Sequence, residues 1–440
     1  MRKLNLIVII IIVSFALLQA QDYPGFHVIG RHLYDVCGEK VILRGVANPN
    51  IWFDKSGLDQ YPEIDLTGAN VVRIVWQTNG TAADLNAAVY NCIQYGMIPM
   101  VELHDATGDW SKLQTCVNYW IRADIVNVIL DYEEYFILNI ANECGNASIS
   151  NATFRTGYES AIAQIRNAGI HVPLVIDGTD WGKNINILQA EGPYLINADP
   201  DHNLLFSVHM WWPQMYGYDE QDIIDEITQS VNMGLPLIVG EFSQMHGECS
   251  DDSITANNSI AYLTILAQCQ ANDVGWIAWS WFGNCNPFWD MSDDGTYAEL
   301  YDWGLEVAVT DPNSIQNTSV RSYFMDWGSC NPDRIGRAGE FILPERCELK
   351  QNCPNPFNSG TEIRYEIPAP ADITLDIFDM QGRKVCTLVD NWQTSGSHLA
   401  YWNGLDETGN TAASGSYLYQ ITVNDGSNIF KQAHKLILVK

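Results

Sequence analysis

Between residue 41 and about residue 281 the chain alternates short apolar or β-branched runs with longer stretches whose apolar residues recur every three or four positions. Eight runs qualify as strands: residues 41–47, 71–76, 98–104, 135–142, 173–178, 204–210, 236–242 and 274–281. Most are apolar throughout, as strands of a parallel sheet buried on both faces should be. In the intervening stretches Leu85, Val89, Cys92 and Ile93 share one helical face, as do Phe154, Tyr158, Ala161, Ile162 and Ile165. Ile224, Ile227 and Val231 repeat the period and stop at Gly234, a residue suited to closing a helix. Strand and helix alternating eight times predict an α/β fold of the (β/α)8, or TIM barrel, type. No GxGxxG or Walker loop follows any strand, which argues against a nucleotide-binding sheet.

The texture changes after Trp327. Residues 328–347 mix Gly, Pro and charge without a period and read as a linker. From residue 348 to 440 short alternating runs return: Ile373, Leu375 and Ile377 point one way, Thr374, Asp376 and Phe378 the other. Asp425-Gly426 is a hairpin signal between two such runs, and the segment predicts a small all-β sandwich. At the other end, Arg2 and Lys3 precede an apolar run from Leu6 to Leu18, followed by small Ala20. That order predicts a secretory signal peptide over residues 1–20, leaving a barrel domain over 21–327.

Composition narrows the partners. With 47% hydrophobic and 17% charged residues the chain can bury large cores. Its net charge of −30 repels nucleic acid phosphate and anionic lipid, so neither is expected as a partner. No run beyond the N-terminal one is apolar enough to cross a bilayer. Eleven cysteines in an exported chain leave at least one unpaired or bonded to another molecule. None stands in a CxxC, so no metal site is expected.

The chemistry of a (β/α)8 barrel gathers at the C-terminal ends of its strands. Those ends offer Arg73 after the second strand and His104 after the third, and Asn142-Glu143 follows the fourth. His209 ends the sixth, Glu241 the seventh, and Trp279 lies in the eighth. Any one of them alone is more often an ordinary loop or core residue, but all six ends face one mouth. Retentive cleavage of a glycosidic bond needs two carboxyl groups about 5–5.5 Å apart, one protonated and one ionised. Glu143 and Glu241 stand across the barrel from one another and fit that requirement. Arg73 is expected to hold Glu241 ionised, and burial with the nearby charge to raise the Glu143 carboxyl.

The phrases LRGVANPNIWF from Leu43, GANVVRIVW from Gly68, VELHDATGD from Val101 and NIANE ending at Glu143 resemble glycoside hydrolase family 5. So do DGTDWGKN from Asp177, FSVHM ending at Met210, IVGEF around Glu241 and GWIAWSW around Trp279. HDATG, NIANE and AWSW together resemble the bacterial endo-β-1,4-mannanase branch. The resemblance implies Glu143 as acid/base, Glu241 as nucleophile, and Asn142 binding the hydroxyl next to the reacting carbon. It implies positioning roles for Arg73, His104 and His209, a sugar platform at Trp279, and a cleft lined by Trp52 and Trp181. It implies no cofactor. Three positions depart from the pattern: Trp211 stands where the family has a nucleophile-binding Tyr, Cys144 where the branch often has Trp, and Phe282 where it often has Lys. An indole cannot act as a phenol does, so another group, Tyr216 or Tyr218 among the candidates, is expected to assist Glu241. Cys249 and Cys285 lie in the loops after the seventh and eighth strands, adjacent on the rim, and are expected to pair.

The tail, through QNCPNPFN from Gln351, DMQGRKVCTLV from Asp379, WNGLDETGN from Trp402 and a closing KLILVK, resembles a type IX secretion sorting domain. That implies a Gram-negative host, a secreted or surface-attached enzyme, and secretion machinery as a partner. The combined expectation is a retaining endo-β-1,4-glycanase acting on mannan, with cellulose or glucomannan the alternative substrates. A non-catalytic sugar-binding barrel would be expected to lack one of the two Glu. A metal-dependent hydrolase would require a ligand cluster that His104, Asp105 and His209 do not make without an HxH on the first strand.

Overall fold

The computed structural model describes residues 25–328, 330, 347–352, 355–358, 360–368, 371–393, 396–408, 410–424 and 429–439. The expected signal peptide and most of the expected linker lie outside the described residues. The chain divides into two units, Met1–Ile335 and Gly336–Lys440.

In the first unit eight parallel strands close into a barrel: β1 (Arg44–Asn48), β2 (Val71–Trp76), β3 (Ile98–Leu103), β4 (Ile137–Asn139), β5 (Leu174–Asp177), β6 (Leu204–His209), β7 (Leu237–Glu241) and β8 (Gly275–Ala278). Strands adjacent in sequence pair in space, and Ile277 opposite Gly45 closes the ring. Helices α1 (Ala82–Gln94), α2 (Leu113–Trp120), α3 (Ala123–Asp131), α4 (Asn151–Asn167), α5 (Ile185–Ala198), α6 (Glu220–Asn232) and α7 (Tyr262–Ala271) connect them. The two-residue period of a strand sorts its side chains between two cores. On β2, Val71 and Val75 join the cluster inside the barrel, while Val72, Ile74 and Trp76 pack outward against the helices. The helical stripes of α1 and α4 fall where the sequence places them. On α6 the buried line is Ile223, Ile227 and Ser230, one position round from the expected Ile224 and Val231. Gly234, at φ 70°, follows α6 as its expected terminator.

Two readings of strand position need correction. The first expected strand splits: Lys40–Val41 pairs antiparallel with His32–Tyr34, and the barrel strand begins at Arg44. Val28, Leu33 and Val41 of that small sheet join the core inside the barrel. Arg73 lies within β2 rather than after it, so its guanidinium rises from the wall of the barrel between Val71 and Val75.

Cys249 and Cys285 form the expected disulfide, tying the loops after β7 and β8. A second bridge, Cys37–Cys330, joins residues 293 apart and was not foreseen, because nothing local marks so distant a pair. Buried Cys92, Cys116, Cys144, Cys269 and Cys386 remain thiols.

The second unit is all-β. Strands β9 (Glu348–Leu349), β10 (Thr361–Ile367) and β13 (Gly396–Trp402) form one sheet, in the order β9-β10-β13. Strands β11 (Ala371–Asp379), β12 (Lys384–Gln393), β14 (Gly415–Asn424) and β15 (Ile429–Leu438) form the other, in the order β12-β11-β14-β15. Ile363 and Tyr365 of the first sheet and Ile373, Leu375 and Ile377 of the second share one core, the sandwich expected from the alternation. β14 and β15 pair antiparallel, and the Asp425-Gly426 turn between them lies outside the described residues. Among the described residues no helix is long and apolar enough to cross a membrane.

Candidate active site

Above the apolar filling of the barrel lies a layer of buried polar groups centred on Arg73. Its Nη1 donates to Glu241 Oε1 at 2.6 Å and its Nη2 to Asn142 Oδ1 at 2.6 Å. Glu102 Oε1 and Asp177 Oδ2 stand 3.9 and 3.7 Å from the same guanidinium. One planar fork thus faces three carboxylates and an amide, a geometry an ammonium could not match. These charges hold the guanidinium firmly protonated despite its complete burial.

Glu241 ends β7, where a register shift between Val239 and Glu241 brings it opposite His209. Such a bulge re-aims a side chain at the rim of a barrel. Its second oxygen accepts from Trp211 Nε1 at 3.2 Å. The expectation that a group other than Trp211 assists Glu241 is therefore corrected: the indole N–H supplies the donor that a phenol would. Tyr216 packs instead against His246, with ring centroids 5.0 Å apart, and Tyr218 stacks on Trp212 at 4.8 Å.

Glu143 follows β4 in a left-handed backbone, φ 47°, uncommon for a residue with a side chain. Two hydrogen bonds hold it there: its N–H donates to Asp177 Oδ2 at 3.0 Å, and its carbonyl accepts from Gly108 N at 2.9 Å. Asn142 beside it donates to Thr107 Oγ1 at 2.8 Å.

His209 stands between the two glutamates. Its Nδ1 lies 2.8 Å from Glu143 Oε1 and 3.4 Å from Glu241 Oε2, and its Nε2 3.6 Å from Asp177 Oδ2. A side chain at Gly182 or Gly240 would collide with this imidazole or with Ser207 beside it, so both positions require glycine. Burial would lower the imidazole pKa, but the charges of Glu241 and Asp177 outweigh it and push His209 up to about 10. A single oxygen from each glutamate and a nitrogen of His209 all lie within 4.8 Å of one another. With His209 held as an imidazolium and the guanidinium already on Glu241, this trio is poorly made for a metal ion.

The order of the carboxyl pKa values differs from expectation. For Glu143, burial pushes upward, but the hydrogen bond and charge of His209 leave the carboxyl below its ordinary value. For Glu241, burial is the largest effect and leaves it above, despite His209 and Arg73. The sequence shows neither the position of His209 nor its charge, and His209 reverses the ordering.

His104 is raised as well: burial lowers it, and Glu102, whose Oε1 lies 2.9 Å from its Nδ1, more than compensates. Its ring stacks on Trp279 at 5.5 Å and meets Trp52 edge-on at 5.1 Å. Trp279 is only 7% exposed and gives the cleft a floor rather than an open face, whereas Trp52 and Trp181, 46% and 44% exposed, present broad surfaces at the mouth. Nine of the ten expected site residues are joined by these contacts, and Trp181 borders Gly108, the donor to the Glu143 carbonyl. Glu102 and Asp177 were missed as members of the site. Asp177 ends β5 and was visible as a strand-end acid; Glu102 is the last residue but one of an apolar run and carries no such mark.

A closed (β/α)8 barrel with two carboxyls, one following β4 and one ending β7, brought within 4.8 Å of one another is the apparatus of a glycoside hydrolase. The model of the cellulase family, glycosyl hydrolase family 5, matches residues 34–284, and the chain belongs to that family. It is 31% identical over 321 residues to mannan endo-1,4-beta-mannosidase of Salipaludibacillus agaradhaerens, covering 70% of this chain and 99% of that protein. The protein of the same description from Cellvibrio japonicus is 30% identical, over 72% of this chain and 73% of its own. Among solved structures, a β-mannanase from Thermomonospora fusca superposes with a TM-score of 0.62 at 30% identity, over 68% of this chain and 99% of its own. Residues 355–427 match a FlgD Ig-like domain.

Proposed function

We propose that the chain is an endo-β-1,4-mannanase working by double displacement, with Glu143 as acid/base and Glu241 as nucleophile. The observation that carries the reading is that an oxygen of Glu143 lies within 4.8 Å of an oxygen of Glu241, short of the roughly 6.5–9.5 Å by which inverting pairs seat a water, which favours retention over inversion. The mannan-acting names of the relatives support the choice of substrate.

In the first step a glycosidic oxygen takes the place of His209 as the partner of Glu143. Released from the imidazolium, Glu143 takes up a proton from solvent, its burial now acting unopposed, while Glu241 stays ionised under Arg73 and Trp211. Glu143 protonates the leaving oxygen as Glu241 Oε2 attacks the anomeric carbon, giving a glycosyl-enzyme and a shortened chain. Glu143, now a carboxylate, takes a proton from water, which breaks the glycosyl ester and restores configuration. Asn142, held by Arg73 and Thr107, presents its amide to the neighbouring hydroxyl. Trp279 underlies the reacting sugar, and Trp52 and Trp181 receive flanking units. Reducing-sugar release by the full chain from linear mannan, glucomannan and carboxymethyl cellulose tests the substrate. At least tenfold faster release from mannan than from carboxymethyl cellulose is expected; the reverse ranking assigns the chain to glucan and sinks the mannanase reading.

We also propose that the enzyme is exported through its N-terminal leader and that the second unit addresses it to a type IX machinery. The tail phrases quoted above and the Ig-like match support this. Removing residues 348–440 in a type IX-competent Gram-negative host is expected to strand active enzyme in the periplasm; undiminished activity outside the cell overturns the assignment.

A further inference from the structure

The indole of Trp279 is fixed by a hydrogen-bonded chain that lies outside the machinery described so far. Its Nε1 donates to Asn284 Oδ1 at 3.0 Å. Asn284 Nδ2 donates in turn to Asp290 Oδ1 at 2.6 Å and to Ser280 Oγ at 2.7 Å, and the Asn284 backbone N–H reaches the same carboxylate oxygen at 3.0 Å. An indole N–H can only donate and a carboxylate can only accept, so the amide between them has one orientation open to it. The segment carrying Asn284 is anchored from both sides. Cys285 is bonded to Cys249, and Asn286 Nδ2 donates to the Glu248 carbonyl at 2.8 Å, both on the loop after β7. Asp290 is 7% exposed, and its carbonyl accepts from Trp303 Nε1 at 2.9 Å.

We infer that Asn284, oriented by Asp290, is a positioning residue that sets the tilt of Trp279 beneath the reacting sugar. The inference rests on the placement of Trp279 in the proposed function. Asp290 Oδ1 accepts from Asn284 whether or not its other oxygen carries a proton, so the polarity of the chain holds across the carboxyl's titration. Burial pushes that carboxyl up to about 6 against its hydrogen bonds from Asn284, with Asp293 raising it further; Tyr301 also faces it.

A double-mutant cycle on the full chain with linear mannan tests this. Asn284→Ala is expected to lower kcat/KM about tenfold in the wild-type background and less than twofold beside Trp279→Phe, which has no N–H to hold. A tenfold loss in both backgrounds overturns the inference and makes Asn284 a loop staple. A Trp279→Phe single variant with wild-type activity overturns it differently, by removing Trp279 from the sugar's floor. Asn284→Asp guards against loss of folding as the explanation. It keeps the acceptor for the indole but sets a carboxyl against Asp290, so the two must share a proton. Its activity relative to wild type is expected to rise about tenfold between pH 7.5 and pH 5, and a flat ratio overturns the role of Asp290.

Discussion

Glu241→Ala is expected to lose on the order of 10⁴- to 10⁶-fold in kcat, and sodium azide to restore part of it with a glycosyl azide of inverted anomeric configuration. The inversion is the informative outcome. Deleting the carboxylate leaves a space under the anomeric carbon, bounded by Arg73 and Trp211, that a small anion can enter from the same face. Attack from there is a single displacement, so the product carries the opposite configuration to the substrate. Glu143→Ala separates the second role. It is expected to lose about 10²- to 10⁴-fold on mannan, whose leaving oxygen needs a proton, and much less on an aryl glycoside whose leaving group does not. Azide then intercepts a glycosyl-enzyme still formed on Glu241, and the azide product keeps the original configuration. If the two variants exchange these outcomes, the roles are exchanged. If neither gives a glycosyl azide of defined configuration, the double displacement itself falls.

Much of this site was legible because barrel topology converts sequence order into spatial order. Once eight apolar runs are read as strands, His104, Glu143, His209 and Glu241 must share a mouth, whatever the details of packing. What topology does not convey is direction and distance. Arg73 was placed at a strand end, yet it works from inside β2, where the two-residue period turns it to the barrel axis. Glu102 was invisible because a single acid in an apolar run looks like noise until a cation is known to face it. The pKa order of the glutamates failed for the same reason: it depends on an imidazolium 2.8 Å from one carboxyl and 3.4 Å from the other, a difference no sequence states. The Trp at position 211 was read as a loss because indole cannot do all that phenol does. The donor function is the one that matters toward Glu241, and indole has it. Rim neighbourhood was enough to pair Cys249 with Cys285, while Cys37 and Cys330 are joined only by the return of the chain.

Arg73→Met is expected to cost about 3–5 kcal/mol in stability at neutral pH, a fall in Tm on the order of 10 °C, together with on the order of 10³-fold in kcat/KM. Methionine fills a similar space, so the loss is electrostatic: Glu102, Asp177 and Glu241 would remain buried without the guanidinium they surround. The pH dependence distinguishes this from a packing defect. In the wild type, burial would raise Asp177, but the charge and hydrogen bonding of His209, with Arg73, hold it down to about 2. A carboxyl so depressed contributes stability that is present above its unfolded value, about 3.9, and is lost as the pH falls toward 2. Without Arg73 the folded value rises and that contribution shrinks. The Tm gap between wild type and variant is therefore expected to be widest near neutrality and to close below about pH 4, as protonation removes the charges the guanidinium had balanced. A gap that stays constant from pH 7 to pH 3 would mean Arg73 acts by shape alone. Arg73→Lys completes the test: it restores the charge, so much of the stability returns, but one ammonium cannot hold Glu241 Oε1 and Asn142 Oδ1 in the geometry of the fork. Activity should therefore stay depressed at least tenfold while the Tm recovers, and recovery of both together would reduce the guanidinium to a counter-charge.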